Sequence, residues 1–550
     1  MGRPTKGAEW NCEGMTDTST PRQRCARIGA EAFVLGILLC LPVTPACAAD
    51  ETPIPVEAFY RHPDIDSAAL SPSGARLAVL TGVGAPRVSL AVFDLQDGAR
   101  SKVVARFSDA DIRNFYWVND RLLVLGLVDL SAGGGEQERR GLWAARADGG
   151  GVWQLVNVNR EVVIDRESRH EPLDWNHVLL AVPAGGGNEI IVGRTVRHLG
   201  EPTAIYPSRL DVTTQRQHFL AADAPDYALG WIFEPKGEPR VVLATHEGQT
   251  RIHWRAPEHD TWTEIAKFDK LSMGFVPRFV DAKGQLYVTA PEGGEGYAVL
   301  KRFDFATGKP EPEAIVKTPG FDFWGALIRP DGAAGAALGV RVTTDAESTV
   351  WLDERMKKIQ EDVDAPLPGR INHLSCRRCG SNDIVVLGFS HSDRDPGQYF
   401  VYRPSNKDWQ SVGRVRPDID PKRMATLDLH RIRARDGLDL PVWVTLPPGA
   451  DRKSARPAVM LVHGGPWVRG EYWHWSADAQ FLASRGYVVI EPEFRGSTGY
   501  GARHFAPAGN SGGARCKTMS MMRSIGWSVR GGWTRSMSAS RGRAMAGMRR

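Results

Sequence analysis

The chain has few cysteines outside its N-terminal segment. The 550-residue chain holds seven cysteines, and four of them lie near the N-terminus: Cys12, Cys25, Cys40 and Cys47. Only one C-x-x-C pair, Cys376 with Cys379, is present, whereas a structural zinc site needs two such pairs or a pair with spaced histidines. A redox motif would need a βαβ setting, which is missing around the pair. We therefore expect neither a metal nor a cofactor, and we predict that Cys376 and Cys379 form a small disulfide in an oxidising compartment.

Long apolar runs are also missing. No run reaches the roughly 20 residues that span a bilayer, and Ala32–Leu41 is only half that length. Small residues follow it at 46–49, and three arginines precede it: Arg22, Arg24 and Arg27. This pattern predicts a signal peptide over residues 1–49 and a secreted or periplasmic protein. A membrane anchor is the alternative, and Met15 is an alternative start.

Acidic residues are absent from 506–550, which contain Lys517 and eight arginines. The formal charge of +5 therefore belongs to this tail, and the residues between the leader and the tail are net acidic. The body offers no basic surface, so we expect no nucleic-acid partner. The tail is rich in Gly, Ser and Met and has no periodic apolar face, which predicts disorder.

Short β-strands dominate the region from 50 to 415. Apolar and β-branched runs such as Arg76–Thr81 (RLAVLT), Arg121–Leu127 (RLLVLGL) and Tyr297–Phe303 (YAVLKRF) alternate with Gly, Pro and Asp turns. Turn phrases such as SPSG and RPDG recur, and long helical periodicity is missing. A run of this length predicts an N-terminal all-β propeller over 50–415. A pair of β-sandwiches is the alternative.

The pattern changes between 416 and 505. An Asp-Gly turn joins Leu429–Ala434 to Leu438–Leu446, and Pro457–Val462 (PAVMLV) is a continuous apolar run typical of a buried strand. Ala477–Arg485 is predicted to be a short helix, and Tyr487–Ile490 another buried strand. Strand, helix and strand in this order predict the N-terminal part of an α/β domain.

A His-Gly-Gly turn follows the buried strand directly, as His463-Gly464-Gly465-Pro466-Trp467. Glycines let the backbone turn tightly and present an N–H to a developing oxyanion. Loops of this kind form oxyanion holes in α/β-hydrolases. The motif therefore indicates acyl-transfer chemistry.

These segments together resemble the prolyl oligopeptidase family of serine peptidases. The resemblance rests on RARDGLDLPVWVTLPPG, PAVMLVHGGPW and FLASRGYVVIEPEFRGSTGYG, and it implies a propeller followed by an α/β-hydrolase domain. It implies that Gly465 donates its N–H to the oxyanion hole, within an active-site loop that includes His463, Gly464 and Pro466. It also implies that Arg495 and Gly496 belong to a structural loop beside the active site, and that Ser497 is not the nucleophile.

Ser511 stands in a G-x-S-x-G pattern, Gly509 to Gly513, yet the context argues against catalysis. A nucleophile elbow needs a strand before the serine, and in this fold the acid and then the base follow it in sequence. No buried strand precedes Ser511, and no Asp, Glu or His follows it. A one-base shift of reading frame permits a peptide containing GASYGGY, which resembles the family's nucleophile motif. We therefore interpret 506–550 as an out-of-frame tail.

The resemblance implies a serine-type peptidase that hydrolyses short peptides by acyl-enzyme chemistry. The serine, acid and base that this needs are missing from the printed chain, so we expect the chain to be inactive. Two alternatives remain open: a secreted propeller that binds a ligand and keeps a vestigial hydrolase segment, and an esterase of the same hydrolase fold. The long β-rich region argues against the esterase.

Overall fold

The computed structural model describes residues 52–96, 101–132, 139–158, 171–269, 274–330, 337–450, 455–464 and 467–505. From Pro53 onward they belong to one compact unit. The predicted signal peptide and the tail 506–550 lie outside the described residues.

Consecutive strands form seven antiparallel sheets in the described residues before residue 415, and each sheet is named here as a blade. Blade 1 contains β1 (Ser67–Leu70), β2 (Arg76–Thr81), β3 (Ser89–Asp94) and β4 (Ser101–Ala105). Blade 2 contains β5 (Asp111–Asn119), β6 (Leu122–Val128), β7 (Arg139–Arg146) and β8 (Val152–Val156). Blade 3 contains β9 (His177–Ala181), β10 (Glu189–His198), β11 (Glu201–Asp211) and β12 (Gln217–Phe219). Blade 4 contains β13 (Ala228–Phe233), β14 (Pro239–His246), β15 (Gln249–Trp254) and β16 (Thr263–Asp269).

The remaining blades continue the same order along the chain. Blade 5 contains β17 (Val276–Val280), β18 (Leu286–Glu292), β19 (Tyr297–Asp304) and β20 (Lys309–Pro310). Blade 6 contains three strands, β21 (Gly325–Ile328), β22 (Gly339–Thr343) and β23 (Glu347–Trp351). Blade 7 contains β24 (Ile371–Arg377), β25 (Val385–His391), β26 (Gln398–Arg403) and β27 (Asp408–Arg414).

The apolar runs in the sequence arise because each blade lies between two others. Successive side chains of a strand point to opposite faces of its sheet. In β6, Leu123 and Leu125 join a core shared with blade 1, whereas Leu122 and Val124 join a core shared with blade 3. A strand with both faces covered needs apolar residues at every position, as LLVLGLV has.

The blades close into a ring. Shared cores join neighbouring blades, and their members include Leu90 with Leu125, Val124 with Ile190, Val241 with Leu286, Leu300 with Val340, and Leu338 with Leu374. Blades 3 and 4 are joined by the Trp231 indole, which donates to the Ile205 carbonyl at 2.7 Å. Blade 7 returns to blade 1 through a core that contains Leu77 and Leu387. This ring is the predicted β-propeller, and it excludes the pair of β-sandwiches.

One helix interrupts the predicted all-strand pattern of the propeller. Helix α2 (Glu354–Asp364) begins after Asp353, whose side chain accepts a hydrogen bond from the Met356 N–H, and it lies between blades 6 and 7. Its buried residues, Met356, Ile359 and Val363, join the core that also contains Cys376 and Cys379. These two cysteines form a disulfide across the end of β24.

A last sheet follows the propeller and is named here the C-terminal sheet. Its strands are β28 (Thr426–Arg433), β29 (Asp439–Leu446), β30 (Ala458–Met460) and β31 (Val488–Pro492). They lie in the order β28-β29-β31-β30, with β30 parallel to β31 and the other pairs antiparallel. The β30-to-β31 connection carries α3 (Ala477–Ala483), so strand, helix and parallel strand occur as the sequence predicts. A short helix, α4 (Ala502–Phe505), ends the described chain.

The segment before the propeller packs against this C-terminal region. Helix α1 (Val56–Tyr60) places Phe59 in a core with Met424, and Trp475 and Phe481 pack against that core. The Tyr60 hydroxyl donates to Asp478 at 3.0 Å. The chain therefore enters the propeller from the C-terminal sheet and returns to it afterwards, by way of a short 3-10 turn at Pro421–Arg423.

Candidate active-site loop

The loop that begins at His463 leaves the end of β30. The Leu461 N–H donates to the Ile490 carbonyl at 3.0 Å, so the backbone stays fixed to β31 up to the loop. The His463 ring then stacks on Phe494, with centroids 4.3 Å apart. The two motifs that the sequence singled out, HGGPW and the segment that starts at Phe494, therefore meet at this point. Gly465 and Pro466 themselves lie outside the described residues.

Glu493 fixes the far side of this loop. Its carboxylate is 1% exposed and accepts hydrogen bonds from the Gly470 N–H at 3.0 Å and from the Glu471 N–H at 2.7 Å. One of its oxygens also lies 3.4 Å from the His463 Nε2. Bonds to an ionised acceptor are roughly twice as strong as neutral ones. One buried side chain thus holds both ends of the 463–471 loop.

Ser497, His463 and Glu493 look like a catalytic triad, but the geometry is wrong. The Ser497 hydroxyl lies 3.0 Å from the His463 Nε2, and the carboxylate of Glu493 approaches that same nitrogen. In a Ser-His-acid triad the acid holds Nδ1 and the serine meets Nε2. Here Nδ1 faces the Gly464 carbonyl at 3.3 Å, and Ser497 is fully buried. The group therefore anchors the loop and does not activate a nucleophile.

Arg495 and Gly496 shape the chain beside this anchor. The Arg495 guanidinium forms an ion pair with Asp436, in the turn between β28 and β29. Gly496 has φ of +92°, a conformation that favours glycine, and its N–H donates to the His504 carbonyl at 3.1 Å. Burial is the main cause that lowers the pKa of His504, which keeps that ring neutral near pH 7.

A cavity of about 180 Å³ lies beneath the loop, and carboxylates dominate its lining. Its acidic residues are Glu471, Asp478, Glu491 and Glu493. Burial, and next the charge of Glu471, raise the pKa of Glu491 to about 8. Burial alone would lower the pKa of His474, but its 2.9 Å contact with Glu471 and that residue's charge raise it. The cluster thus limits its negative charge by keeping a proton on Glu491.

Sequence reasoning missed these carboxylates. The signal was present in Glu491-Pro492-Glu493, where two acids end a strand that is otherwise apolar. A buried carboxylate must find hydrogen-bond donors, and the glycine-rich loop is their natural source. The partners Gly470 and Glu471 could not be named, because they lie more than twenty residues earlier and only the parallel pairing of β30 with β31 brings them near.

The loop also faces the propeller. The Arg469 guanidinium donates to the Thr343 carbonyl at 3.2 Å and lies 5.3 Å from the rings of Phe321 and Tyr500. The Trp473 N–H donates to the Asp345 carbonyl at 2.8 Å. The side of the loop opposite β31 is therefore held against blade 6 and the segment that leads into it.

Two expectations concern other parts of the chain. Ser511 lies outside the described residues, so its surroundings are not part of the structure. Among the residues that are described, no helix is long and apolar enough to cross a membrane.

Comparison with known proteins finds relatives by sequence, although no family model matches. Dipeptidyl aminopeptidase BIII of Pseudoxanthomonas mexicana is 30% identical over 255 residues, which cover 45% of this chain and 36% of the relative. Dipeptidyl-peptidase 5 of Porphyromonas gingivalis is 27% identical over 235 residues, which cover 41% of this chain and 32% of the relative. The matched region thus spans about a third of the length of these curated relatives.

Solved structures agree on the architecture. A structure from a study of two prolyl endopeptidases superposes with a TM-score of 0.56 and covers 82% of this chain and 64% of its own, at 13% identity. The fold and the loop together define the class: a β-propeller joined to an α/β sheet that carries a His-Gly-Gly turn. The chain is thus similar in sequence to dipeptidyl peptidases and shares the fold of a prolyl endopeptidase.

Proposed function

We propose that this chain supplies the propeller and the oxyanion loop of a serine peptidase that hydrolyses short peptides through an acyl-enzyme. The observation that carries the proposal is the anchored loop. Its His-Gly-Gly turn leaves the end of a strand in a parallel pair, Glu493 fixes it on one side, and Arg469 ties it to blade 6 on the other. An oxyanion donor must be held rigidly before the reaction begins, and these contacts fix described residues on both sides of Gly465.

In the proposed reaction a serine hydroxyl attacks the peptide carbonyl and a histidine takes its proton, while an acid orients that histidine. The N–H of Gly465 stabilises the oxyanion. Ser497 and Glu493 do not form such a triad with His463, since both approach the same nitrogen of its ring. The residues from 506 onward contain no Asp, Glu or His. We infer that the polypeptide as written is inactive and that 506–550 is an out-of-frame continuation.

The propeller suggests a substrate class, and the predicted signal peptide suggests a cellular location. A closed ring of blades restricts entry to an adjoining site, so extended or short peptides are the expected substrates. The curated relatives bear the names of dipeptidyl peptidases, which makes dipeptide release the first specificity to test. The predicted signal peptide and the disulfide between Cys376 and Cys379 favour a secreted or periplasmic location.

The test begins with the gene. Resequencing of codons 495–550 and beyond should reveal one base gained or lost near 504–506, with GASYGGY and a later Asp and His restored in frame. The printed chain and the restored chain are then treated with a fluorophosphonate probe and with fluorogenic dipeptide and acylated substrates. We expect labelling and turnover only in the restored chain, and neither after its elbow serine is changed to alanine.

Two results would overturn the proposal. The first is labelling of the printed chain that Ser511→Ala or Ser497→Ala abolishes, because the nucleophile would then lie within it. The second is a restored frame that remains unlabelled although its circular dichroism shows a folded protein.

A ligand-binding propeller is the second candidate, and one observation favours it. The ring closes through side chains of blades 1 and 7, both of which this chain supplies, so the propeller needs no later segment to close. An intact printed frame together with a soluble, monodisperse protein would support this candidate.

A further inference from the structure

Three ligand-type side chains converge where blade 6 meets blade 7. Glu347 begins β23, His373 lies within β24 and His391 ends β25. The Glu347 carboxylate lies 2.7 Å from the His373 Nε2, and the Nε2 atoms of His373 and His391 lie 3.3 Å apart. All three donor atoms lie within 4.8 Å of one another. Neither the sequence motifs nor the peptidase site accounts for this cluster.

Hydrogen bonding alone gives the two contacts of this cluster only one proton to share. Each ring nitrogen carries at most one proton, and a carboxylate only accepts. If the His373 Nε2 donates its proton to Glu347 at 2.7 Å, the lone pair of the His391 Nε2 can only share that same proton at 3.3 Å. If His391 donates to His373, the close contact between His373 and Glu347 has no proton. Since His391 is only 5% exposed, water has little room to supply the missing partner.

A metal ion satisfies all three groups at once. Ligands placed tetrahedrally about 2.0–2.1 Å from a zinc ion lie about 3.3 Å apart, which is the separation of the two histidine nitrogens. Two histidines and one carboxylate form a ligand set found in zinc and iron(II) sites. We propose that Glu347, His373 and His391 bind one divalent transition-metal ion, with Zn²⁺ as the best fit.

The surroundings hold the rings ready for coordination. Phe389 stacks on His391 with centroids 5.1 Å apart and on His373 at 6.3 Å, and it stacks on Tyr399 on the neighbouring strand. Coordination would therefore need little rearrangement beyond an opening of the 2.7 Å contact.

The position of the cluster suggests a consequence for the fold. Glu347 lies two residues beyond Asp345, whose carbonyl accepts the hydrogen bond from the Trp473 N–H. The ion would thus join blades 6 and 7 beside the point at which the 469–474 segment contacts the propeller. Its role would be to stiffen this contact, independently of the proposed peptidase activity.

The test uses the full printed chain, stripped with a chelator and dialysed against Zn²⁺ or Co²⁺. Bound metal is counted by atomic emission after gel filtration, and Co²⁺ coordination is read from its visible absorption. Three variants remove one ligand each, Glu347→Gln, His373→Gln and His391→Gln, and His218→Gln, an exposed histidine of blade 3, is the matched control. We expect one ion per chain in the parent and the control, and at least about tenfold weaker binding in each ligand variant.

A control for folding separates a variant that has lost a metal ligand from a variant that no longer folds. Each variant is checked by circular dichroism in EDTA, and Glu347→Gln decides the matter if His391→Gln fails to fold, because Glu347 is partly exposed. In the parent, Zn²⁺ should raise the thermal unfolding temperature, and Glu347→Gln should reduce that rise. Stoichiometric binding that persists in all ligand variants, or a parent that binds no metal, would overturn the proposal.

Discussion

Replacement of Glu493 by glutamine should release the 463–471 loop while the propeller stays intact. The carboxylate accepts hydrogen bonds from the N–H groups of Gly470 and Glu471. Glutamine keeps an oxygen in the place of Oε1, which accepts from both N–H groups, but it removes the charge and puts an NH₂ group in the place of Oε2, which accepts from Gly470 and faces the His463 Nε2. A hydrogen bond to a charged group contributes about 1.5–3 kcal/mol and a neutral one about 0.5–1.5 kcal/mol, and both N–H groups lose the charged acceptor. The local free energy of opening should therefore fall by about 2–3 kcal/mol.

Amide hydrogen exchange measures this local free energy directly. Because about 1.4 kcal/mol corresponds to a factor of ten, the protection of the Gly470 and Glu471 amides should fall about 30- to 150-fold. A peptide covering 467–475 reports the loop, and a peptide from β6 (Leu122–Val128) reports the propeller. The matched control is Glu247→Gln, whose side chain is 84% exposed.

Two results would refute the reasoning about Glu493. The first is protection at Gly470 and Glu471 that stays within about threefold of the parent, since the carboxylate would then not hold the loop. The second is an equal loss of protection in β6, since the substitution would then destabilise the whole chain rather than the loop.

Two further predictions concern ring closure and the acidic cavity. Gly74 and Gly84 both have φ near +70°, but a Cβ at Gly74 would lie 3.0 Å from the Cβ of Arg377 in blade 7, whereas a Cβ at Gly84 would have nothing within 4 Å. In urea unfolding, Gly74→Ala should therefore destabilise the chain by about 1–3 kcal/mol more than Gly84→Ala does. Equal effects of the two substitutions would mean that blade 7 does not pack this closely against Gly74. Burial, and next the charge of Glu471, raise the pKa of Glu491 from 4.5 to about 8. Between these two pH values the folded chain keeps a proton on Glu491 that the unfolded chain loses. The contribution of Glu491 to the free energy of unfolding therefore falls as the pH rises from about 4.5 to 8. Glu491→Gln, with His474, Asp478 and Glu493 unchanged, should therefore raise the unfolding temperature above that of the parent, and the rise should be larger at pH 8 than at pH 5. A rise that does not depend on pH would contradict the raised pKa of Glu491.

Much of the β-structure could be predicted because strands and turns depend on local sequence patterns of apolar residues, Gly, Pro and Asp. Arg76–Thr81 is a strand with the predicted bounds, and the Asp-Gly turn at Asp436–Gly437 joins two strands as expected. Helix α2 was missed because eight of its eleven residues are polar or charged, and these residues hide a narrow apolar stripe. Its cap, Asp353, and the buried spacing of Met356, Ile359 and Val363 were the signals that could have identified it.

The site was predictable only in part, for a physical reason. His463 and Gly464 were singled out because a glycine-rich turn after a buried strand is a local feature, whereas Arg495 and Gly496 were singled out by the family resemblance, and the roles of all four stay predictions. The anchor on Glu493 depends on which strands lie side by side, and nothing local to Glu493 reveals that. The metal-type cluster escaped for the same reason, because its three residues come from three strands and show no ligand spacing in the sequence.

The two ends of the propeller also constrain how the chain can be divided. Phe59, which precedes blade 1, stacks on Trp475 and meets Phe481 edge to face at 5.6 Å, and Arg485 donates to the Ile54 carbonyl at 2.6 Å. A cut at residue 415 would leave Phe59, which is fully buried, facing water. This packing therefore groups the short helix α1 (Val56–Tyr60) with the C-terminal region. Because α3 follows directly on the segment that carries Glu471, this contact also helps to hold the active-site loop in position.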